Sequence, residues 1–76
     1  MIITELEHKR KRYLLVFITL SDTEKDGVAG WIKDKIKLYD GISEEENLKY
    51  IKDLCEAKFG ERPHIIERKD INKVKI

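Results

Sequence analysis

The sequence predicts a small α+β protein: an antiparallel sheet of three to four strands, in β-β-α-α-β order, with two helices packed on one face. Three observations lead to this fold class. A β-branched and aromatic run, RYLLVFITL, begins at Arg12, two stretches with helical spacing fill the middle of the chain, and β-branched segments return after Pro63. If both helices pack on the same face of the sheet, their apolar stripes are buried in one core. We therefore expect two layers, one of strands and one of helices.

The strands are predicted from runs of β-branched residues. Residues 1–6 form the first candidate strand and residues 12–20 the second, while HIIER predicts a third and NKVKI an additional one. In the second strand both alternating sets are apolar. One set is Leu14, Val16, Ile18 and Leu20, and the other is Tyr13, Leu15, Phe17 and Thr19. A strand that is apolar on both sides is central in its sheet, or has its second side covered.

The first helix is predicted from apolar residues that recur at helical spacing between Val28 and Tyr39. Its start has two candidates. Ser21 has the form of an N-cap, which favours a start at Asp22, whereas the Asp-Gly pair ending at Gly27 favours a later start. Glycine 41 is expected to end the helix in either case.

The second helix has clearer boundaries. Ser43 is the predicted N-cap, Glu46 completes a capping box with it, and Gly60 supplies the C-terminal stop. Its apolar stripe consists of Leu48, Ile51, Leu54, Cys55 and Phe59. An amphipathic helix of this kind is expected to turn the stripe toward the sheet.

Composition bounds the class of protein. The 76 residues are expected to form one domain, residues 1–76, and so short a chain builds a thin core that a partner subunit would support. Charged residues make up 41% of the chain, yet the net charge is only +1. The longest apolar run, residues 13–20, is too short to cross a bilayer, and the one cysteine cannot form an intrachain disulfide. We therefore expect a cytoplasmic protein without membrane contact.

Catalytic constellations are not evident in the sequence. Cys55 falls on the apolar stripe of the second helix, and nothing pairs His8 with His64 or with a nucleophile. These three residues also lack the spacing of a zinc site, and no phosphate-binding or dinucleotide-binding glycine motif occurs. The sequence favours a non-enzymatic accessory or regulatory binding protein, with no catalytic residue, metal, cofactor or small-molecule substrate.

A basic cluster directly before the second strand is the main candidate site. Cationic side chains there can neutralise phosphates, and an adjacent aromatic ring can stack on a base. The candidate nucleic-acid-binding residues are Lys9, Arg10, Lys11, Arg12 and Tyr13, extended by Arg68 and Lys69 if the last strand pairs nearby. The competing interpretation is that the cluster is only the polar turn of a hairpin.

The alternative function is protein binding or homodimer formation without nucleic acid. If the helices cover the side of the second strand that carries Leu14 and Val16, the opposite side needs separate cover. The candidate interface residues are then Tyr13, Leu15 and Phe17. Their partner would be a second copy of the chain or another protein.

One part of the chain also resembles a known family. A strand, a helix and the Gly41-Ile42-Ser43 segment that opens a second helix are similar to the arrangement in ribbon-helix-helix DNA-binding proteins. That resemblance implies a dimer whose paired strands enter the major groove. In this chain Thr19 is the outward strand position that matches a polar base-reading residue, whereas Tyr13, Leu15 and Phe17 do not. The C-terminal 16 residues have no counterpart in the family.

Overall fold

The computed structural model describes residues 1–68 and has the predicted α+β architecture, with two helices on one face of a three-stranded antiparallel sheet. The elements are β1 (Ile2–His8), β2 (Lys11–Phe17), α1 (Lys25–Lys35), α2 (Glu44–Phe59) and β3 (His64–Arg68). The strand order is β1-β2-β3, so the run predicted to be central is central. The additional strand predicted at NKVKI lies outside the described residues.

The β1–β2 hairpin is tighter than the sequence predicts. Lys9 and Arg10 alone form the turn, and the flanking His8 and Lys11 already pair in the ladder. Both turn residues have positive φ, 52° and 67°. A two-residue turn of this hand matches the twist of the strands, but it normally contains Asn and Gly. The predicted strands, residues 1–6 and 12–20, left residues 7–11 for the turn; this was wrong, because both strands extend into the basic cluster.

The helices cover the side of the sheet opposite to the one predicted. Phe17 and Leu15 have no exposed surface, whereas Val16 is half-buried on the other side. The register explains the choice. Glu5 pairs with Leu14 across the β1–β2 ladder and Glu7 pairs with Arg12, so burying the Leu14 side would also bury two carboxylates, which is costly. We call the helix-covered side the inner face.

The core lies between this inner face and the helices. Val28 and Ile32 come from α1, and Ile51 and Cys55 from α2. Phe59, at the end of α2, contacts both β2 and α1. Its ring packs edge-on against Phe17, at 5.8 Å between centroids, and edge-on against Trp31, at 5.2 Å. Such edge-to-face contacts add to the free energy gained from apolar burial.

The predicted capping residues explain where α2 begins and ends. Ser43 accepts a hydrogen bond from the backbone N–H of Glu46 at 3.1 Å, and Gly60 takes a left-handed conformation with φ 83°. Because only glycine adopts this conformation without steric cost, Gly60 stops the helix. Before α1, Ser21 caps a 3₁₀ turn over Asp22–Glu24, and the α-helix itself begins at Lys25, between the two predicted starts.

Helix α1 ends at Lys35, six residues before the predicted stop. Ile36 is already extended, with φ −93° and ψ 118°, and its side chain is buried. The buried Asn47 of α2 accounts for the path that follows. Its Oδ1 accepts from the Tyr39 N–H at 3.2 Å, and its Nδ2 donates to the Tyr39 carbonyl at 2.9 Å. One amide thus satisfies both backbone groups of a residue outside the helix.

A carboxylate fixes the chain where β2 ends. Glu61 accepts hydrogen bonds from the Ile18 N–H at 2.6 Å, the Thr19 N–H at 2.9 Å and the Thr19 hydroxyl at 2.7 Å. The segment before β3 is thereby tied to the end of the central strand. None of the helices within residues 1–68 has the length and apolar character needed to cross a membrane.

Candidate binding surface

Strand geometry divides the basic cluster between the two faces of the sheet. Successive side chains of a strand point to opposite faces, so Lys11 lies on the inner side with Tyr13, and Arg12 lies on the outer side. Lys9 and Arg10 lie between the strands, in the turn. The cluster is therefore not one basic patch, although its residues are consecutive in the sequence.

The inner-side lysine is neutralised by two carboxylates. Lys11 Nζ lies 3.2 Å from a Glu44 carboxylate oxygen and 3.7 Å from a Glu67 carboxylate oxygen. The hydrogen bond to Glu44 is the main reason why the pKa of Lys11 is raised. The pKa of Glu44 is lowered, first by its hydrogen bond from Tyr13 and then by Lys11. These groups form a closed ion network at the end of the core, which leaves Lys11 poorly placed for phosphate binding.

Tyr13 belongs to the same network and is not free to stack on a base. Its side chain is 3% exposed, and its hydroxyl donates a 2.6 Å hydrogen bond to Glu44. Burial, followed by the Glu44 contact, raises the pKa of the phenol well above its ordinary value. The prediction that Tyr13 offers an exposed ring was wrong, because the inner face of β2 is the one that the helices cover.

The same correction applies to the other candidate interface residues. Leu15 and Phe17 are fully buried beneath the helices of their own chain, as is most of Tyr13. The cover that these side chains need is supplied within the chain, so their side of β2 does not present an interface. The apolar side of β2 that lacks helix cover is instead the one that carries Leu14 and Val16.

The turn cations differ in their partners. Lys9 Nζ lies 3.5 Å from Asp40, and His8 Nε2 lies 3.2 Å from the same carboxylate. Arg10 and Arg12 form no ion pair with any other residue of the described chain, 1–68. Of the predicted nucleic-acid-binding residues, these two and Arg68 therefore keep their charge accessible. Lys69 lies outside the described residues.

The side of the sheet without helices is the surface with the most unusual composition. We call it the outer face. It consists of Ile3, Glu5 and Glu7 from β1, Arg12, Leu14 and Val16 from β2, and His64, Ile66 and Arg68 from β3. No helix of residues 1–68 packs on it. Most antiparallel sheets that face water alternate apolar residues inward with polar residues outward. This sheet departs from that pattern.

An apolar strip crosses the outer face. Ile3 pairs with Val16 across one ladder, and Leu14 pairs with Ile66 across the other. The two central side chains are half-buried, whereas Ile3 is 43% exposed and Ile66 is 52% exposed. Large apolar side chains are thus contiguous across all three strands, and scattered exposed leucines or isoleucines would not have this arrangement.

The charges of the outer face are separated by strand. Both carboxylates, Glu5 and Glu7, lie on β1, and both arginines, Arg12 and Arg68, lie on β2 and β3. The arginines are direct partners in the β2–β3 register, an arrangement of like charges that destabilises a sheet when nothing neutralises it. Arg68 also forms no ion pair within the part of the chain that is described. The sequence predicted an uncovered apolar side of the second strand but assigned it to Tyr13, Leu15 and Phe17. The signal for the correct side is in β1, where Glu5 and Glu7 alternate with the more buried Thr4 and Leu6.

Two other kinds of chemistry concern residues 1–68, a reactive cysteine and a metal site. Cys55 is buried in the core, and burial raises the pKa of its thiol to about 11, which leaves it a poor nucleophile. Within those residues no three His, Cys, Asp or Glu side chains converge in a way that could hold a metal ion. No protein-family model, curated protein or solved structure matches the chain. The candidate site is therefore defined by its geometry alone.

Proposed function

We propose that this chain is a non-enzymatic binding protein whose working surface is the outer face of the sheet and whose partner is a protein. The observation that carries the proposal is the apolar strip from Ile3 through Val16 and Leu14 to Ile66, on a face that no helix of residues 1–68 covers. Contiguous apolar surface of this kind marks interaction sites in soluble proteins.

The charged residues around the apolar strip favour a protein partner over nucleic acid. The strip is bordered by carboxylates on one edge strand and by arginines toward the other, a mixture of both charge signs. Protein interfaces combine an apolar centre with a polar rim that carries complementary charges. A uniformly basic rim would be expected for nucleic acid, and Glu5 and Glu7 are unfavourable close to phosphates.

Site-specific photo-crosslinking in cells that produce the full chain tests this proposal. A photoreactive amino acid replaces Ile66 on the outer face or, as a matched control, Ile42, which is 41% exposed and lies before α2. We expect a defined protein adduct from position 66 and none from position 42. Adduct formation from 66 should also disappear when Ile3→Lys is added. Equal yields from both positions, or no adduct from either, would contradict the proposal.

A second function, phosphate binding to nucleic acid, is favoured by one observation. Arg12 and Arg68 face each other in the register without an ion pair among residues 1–68, and an anion between them would relieve their repulsion. Arg10 in the turn could extend such a site. This site differs from the predicted one, because Lys11 and Tyr13 belong to the core-side network.

Oligonucleotide binding measured over a range of salt concentrations tests the second function. Affinity should fall steeply with salt, and the pair Arg12→Glu with Arg68→Glu should abolish it. Lys9→Glu is the matched control, because Lys9 already contacts Asp40 and its loss should change affinity less. Absence of binding at low salt would exclude this function.

A further inference from the structure

Resting on the proposed function, we infer that the occupant of the outer face is a second copy of this chain, and that the two sheets pack face to face about a two-fold axis parallel to β2. An isologous dimer requires a surface that is complementary to itself. The outer face meets that requirement through the placement of its charges on different strands.

The symmetry follows from the order of the strands. A two-fold rotation about an axis that runs along β2, between the sheets, exchanges the positions of β1 and β3 and leaves the height along the strands unchanged. The row that contains Glu7, Arg12 and Arg68 therefore meets the same row of the other copy in reverse order. Glu7 of each copy then faces Arg68 of the other. Two ion pairs form, one on each side of the axis.

The apolar strip lies on the same axis. Leu14 and Val16 occupy the central strand, so each meets its own counterpart at the middle of the interface, where burial is deepest. Under the same rotation Ile3 of each copy faces His64 of the other, and Ile66 faces Glu5. Both isoleucines are thereby covered, Ile66 by the aliphatic part of the Glu5 side chain, whose carboxylate reaches solvent from the edge strand. Aligned packing of two sheets brings such side chains together at a separation of about 10 Å between the sheets.

The alternative two-fold axes lack this complementarity. An axis across the strands reverses the rows, so the arginine row meets the row of Ile3, Val16 and His64. That arrangement would place Arg12 over Val16 and Arg68 over His64, so neither arginine meets a carboxylate, and the two Glu5 side chains would face each other. In the favoured arrangement the two Arg12 side chains approach each other near the axis. Arg12 lies at the hairpin end of the sheet, where its long side chain reaches solvent beyond the edge of the interface.

The size of the face sets the expected affinity. Two strands of seven residues and one of five, about 4.8 Å apart and at about 3.3 Å per residue, cover roughly 300 Å² in plan. With the relief of the side chains, two such faces bury on the order of 1,000 Å², the lower limit of specific interfaces. A dissociation constant in the micromolar range is therefore expected, and the dimer should be in equilibrium with monomer.

Sedimentation of the full chain from about 5 μM to about 500 μM tests the inference, because a micromolar dimer dissociates within that range. Glu7→Arg and Arg68→Glu should each weaken association at least about tenfold, since each places like charges opposite one another twice. An equimolar mixture of the two variants should recover association, because both mixed pairs again join opposite charges. Lys33→Glu, on the exposed side of α1, is the control and should leave association unchanged.

The possible results separate the inference from the proposed function. A wild-type chain that stays monomeric over the whole range overturns the dimer, as does a mixture that fails to recover association. If the monomer still gives a specific adduct with another protein from position 66, the binding function stands with a different partner. NOE contacts from Leu14 and Val16 to Ile71, Val74 or Ile76 would instead assign the face to the chain's own C-terminal segment, and would also overturn the dimer.

Discussion

The two faces of this sheet use apolar residues in different ways. On the inner face, Leu15 and Phe17 are fully buried beneath two helices. On the outer face, Leu14 and Val16 are equally apolar and lie on the same strand, yet they are only half-buried and their neighbours Ile3 and Ile66 are exposed. Burial of apolar area stabilises a fold only where cover exists. The inner face therefore stabilises the monomer, whereas the outer face of residues 1–68 keeps the apolar surface that the proposed partner would cover.

The two faces also differ in whether their charged side chains are paired within residues 1–68. On the inner side, Lys11 contacts Glu44 and Glu67, so the charged groups at the end of the core neutralise one another. On the outer side, Arg12 and Arg68 stand side by side and have no ionic partner within residues 1–68. A self-contained network suits a structural role, whereas separated charges suit recognition. Variants that act on one face should thus have separable effects on folding and on association.

The largest expected contrast comes from truncating neighbouring residues of β2. Phe17→Ala removes a fully buried ring that packs against Phe59, and should lower the free energy of unfolding by about 3–5 kcal/mol. Val16→Ala removes a half-buried side chain on the outer face and should cost less than about 1 kcal/mol in the monomer. Urea unfolding followed by Trp31 fluorescence measures both. Equal costs would contradict the assignment of the faces.

The sequence predicted the elements better than it predicted the sheet face. Helix α2 could be bounded at Ser43 and Gly60 because capping depends on local residues. The buried side of β2 could not be read from β2 alone, since both alternating sets are apolar. Which side of β2 is buried depends on its pairing register with β1, which places Glu5 beside Leu14. The path of the chain after α1 likewise depends on Asn47, a residue of the next helix, which holds the backbone of Tyr39.

The division of the basic cluster was unpredictable for a related reason. The predicted turn over residues 7–11 would have kept Lys9, Arg10 and Lys11 together in a loop, whereas the two-residue turn places Lys11 in β2, on the face opposite to Arg12. Turn length was misjudged because Lys9 and Arg10 are not typical residues for positive φ. Their charge was visible in the sequence, but the positions of Asp40 and Glu44 that neutralise part of it were not.

Acid should weaken the end of the sheet through Glu61. Burial of this carboxylate favours its neutral form, but the hydrogen bonds from Ile18 and Thr19 outweigh burial, and the pKa of Glu61 is lowered from its ordinary 4.5. A group whose folded pKa is depressed contributes stability that is complete above its unfolded pKa and is lost as the pH falls through the folded one. Stability should therefore decline below about pH 4.5.

The variant Glu61→Gln isolates this contribution. We expect a loss of about 1 kcal/mol at pH 7, since the neutral amide accepts weaker hydrogen bonds from the Ile18 and Thr19 N–H groups. The difference from wild type should shrink as the pH is lowered. Denaturant unfolding at several pH values measures it, and Glu5→Gln, an exposed carboxylate of β1 without an ion pair among residues 1–68, is the matched control. A difference that is independent of pH would contradict the role of the carboxylate.

The hairpin turn should become more stable when its strain is removed. Arg10 has φ 67°, a conformation that glycine adopts without steric cost. Arg10→Gly should raise the free energy of unfolding by about 1 kcal/mol, after allowing for the greater entropy of glycine in the unfolded chain. Arg12→Gly, in the neighbouring strand, should instead be destabilising. Thermal unfolding of both variants tests the two-residue turn, and a destabilised Arg10→Gly would contradict it.

The smallest expected effect distinguishes the faces at adjacent positions of β1. Thr4 is buried on the inner face, and its hydroxyl has no hydrogen-bond partner among residues 1–68. Thr4→Val keeps the shape and removes this unpaired polar group, so it should raise the free energy of unfolding by about 0.5–1 kcal/mol. Ile3→Thr makes the reverse change on the outer face, where the hydroxyl stays solvated, and should change monomer stability little while weakening association. If both substitutions changed the free energy of unfolding and neither changed association, the outer face would have no binding role. If Ile3→Thr changed association alone, single side chains would confirm that one face of β1 serves folding and the other serves binding.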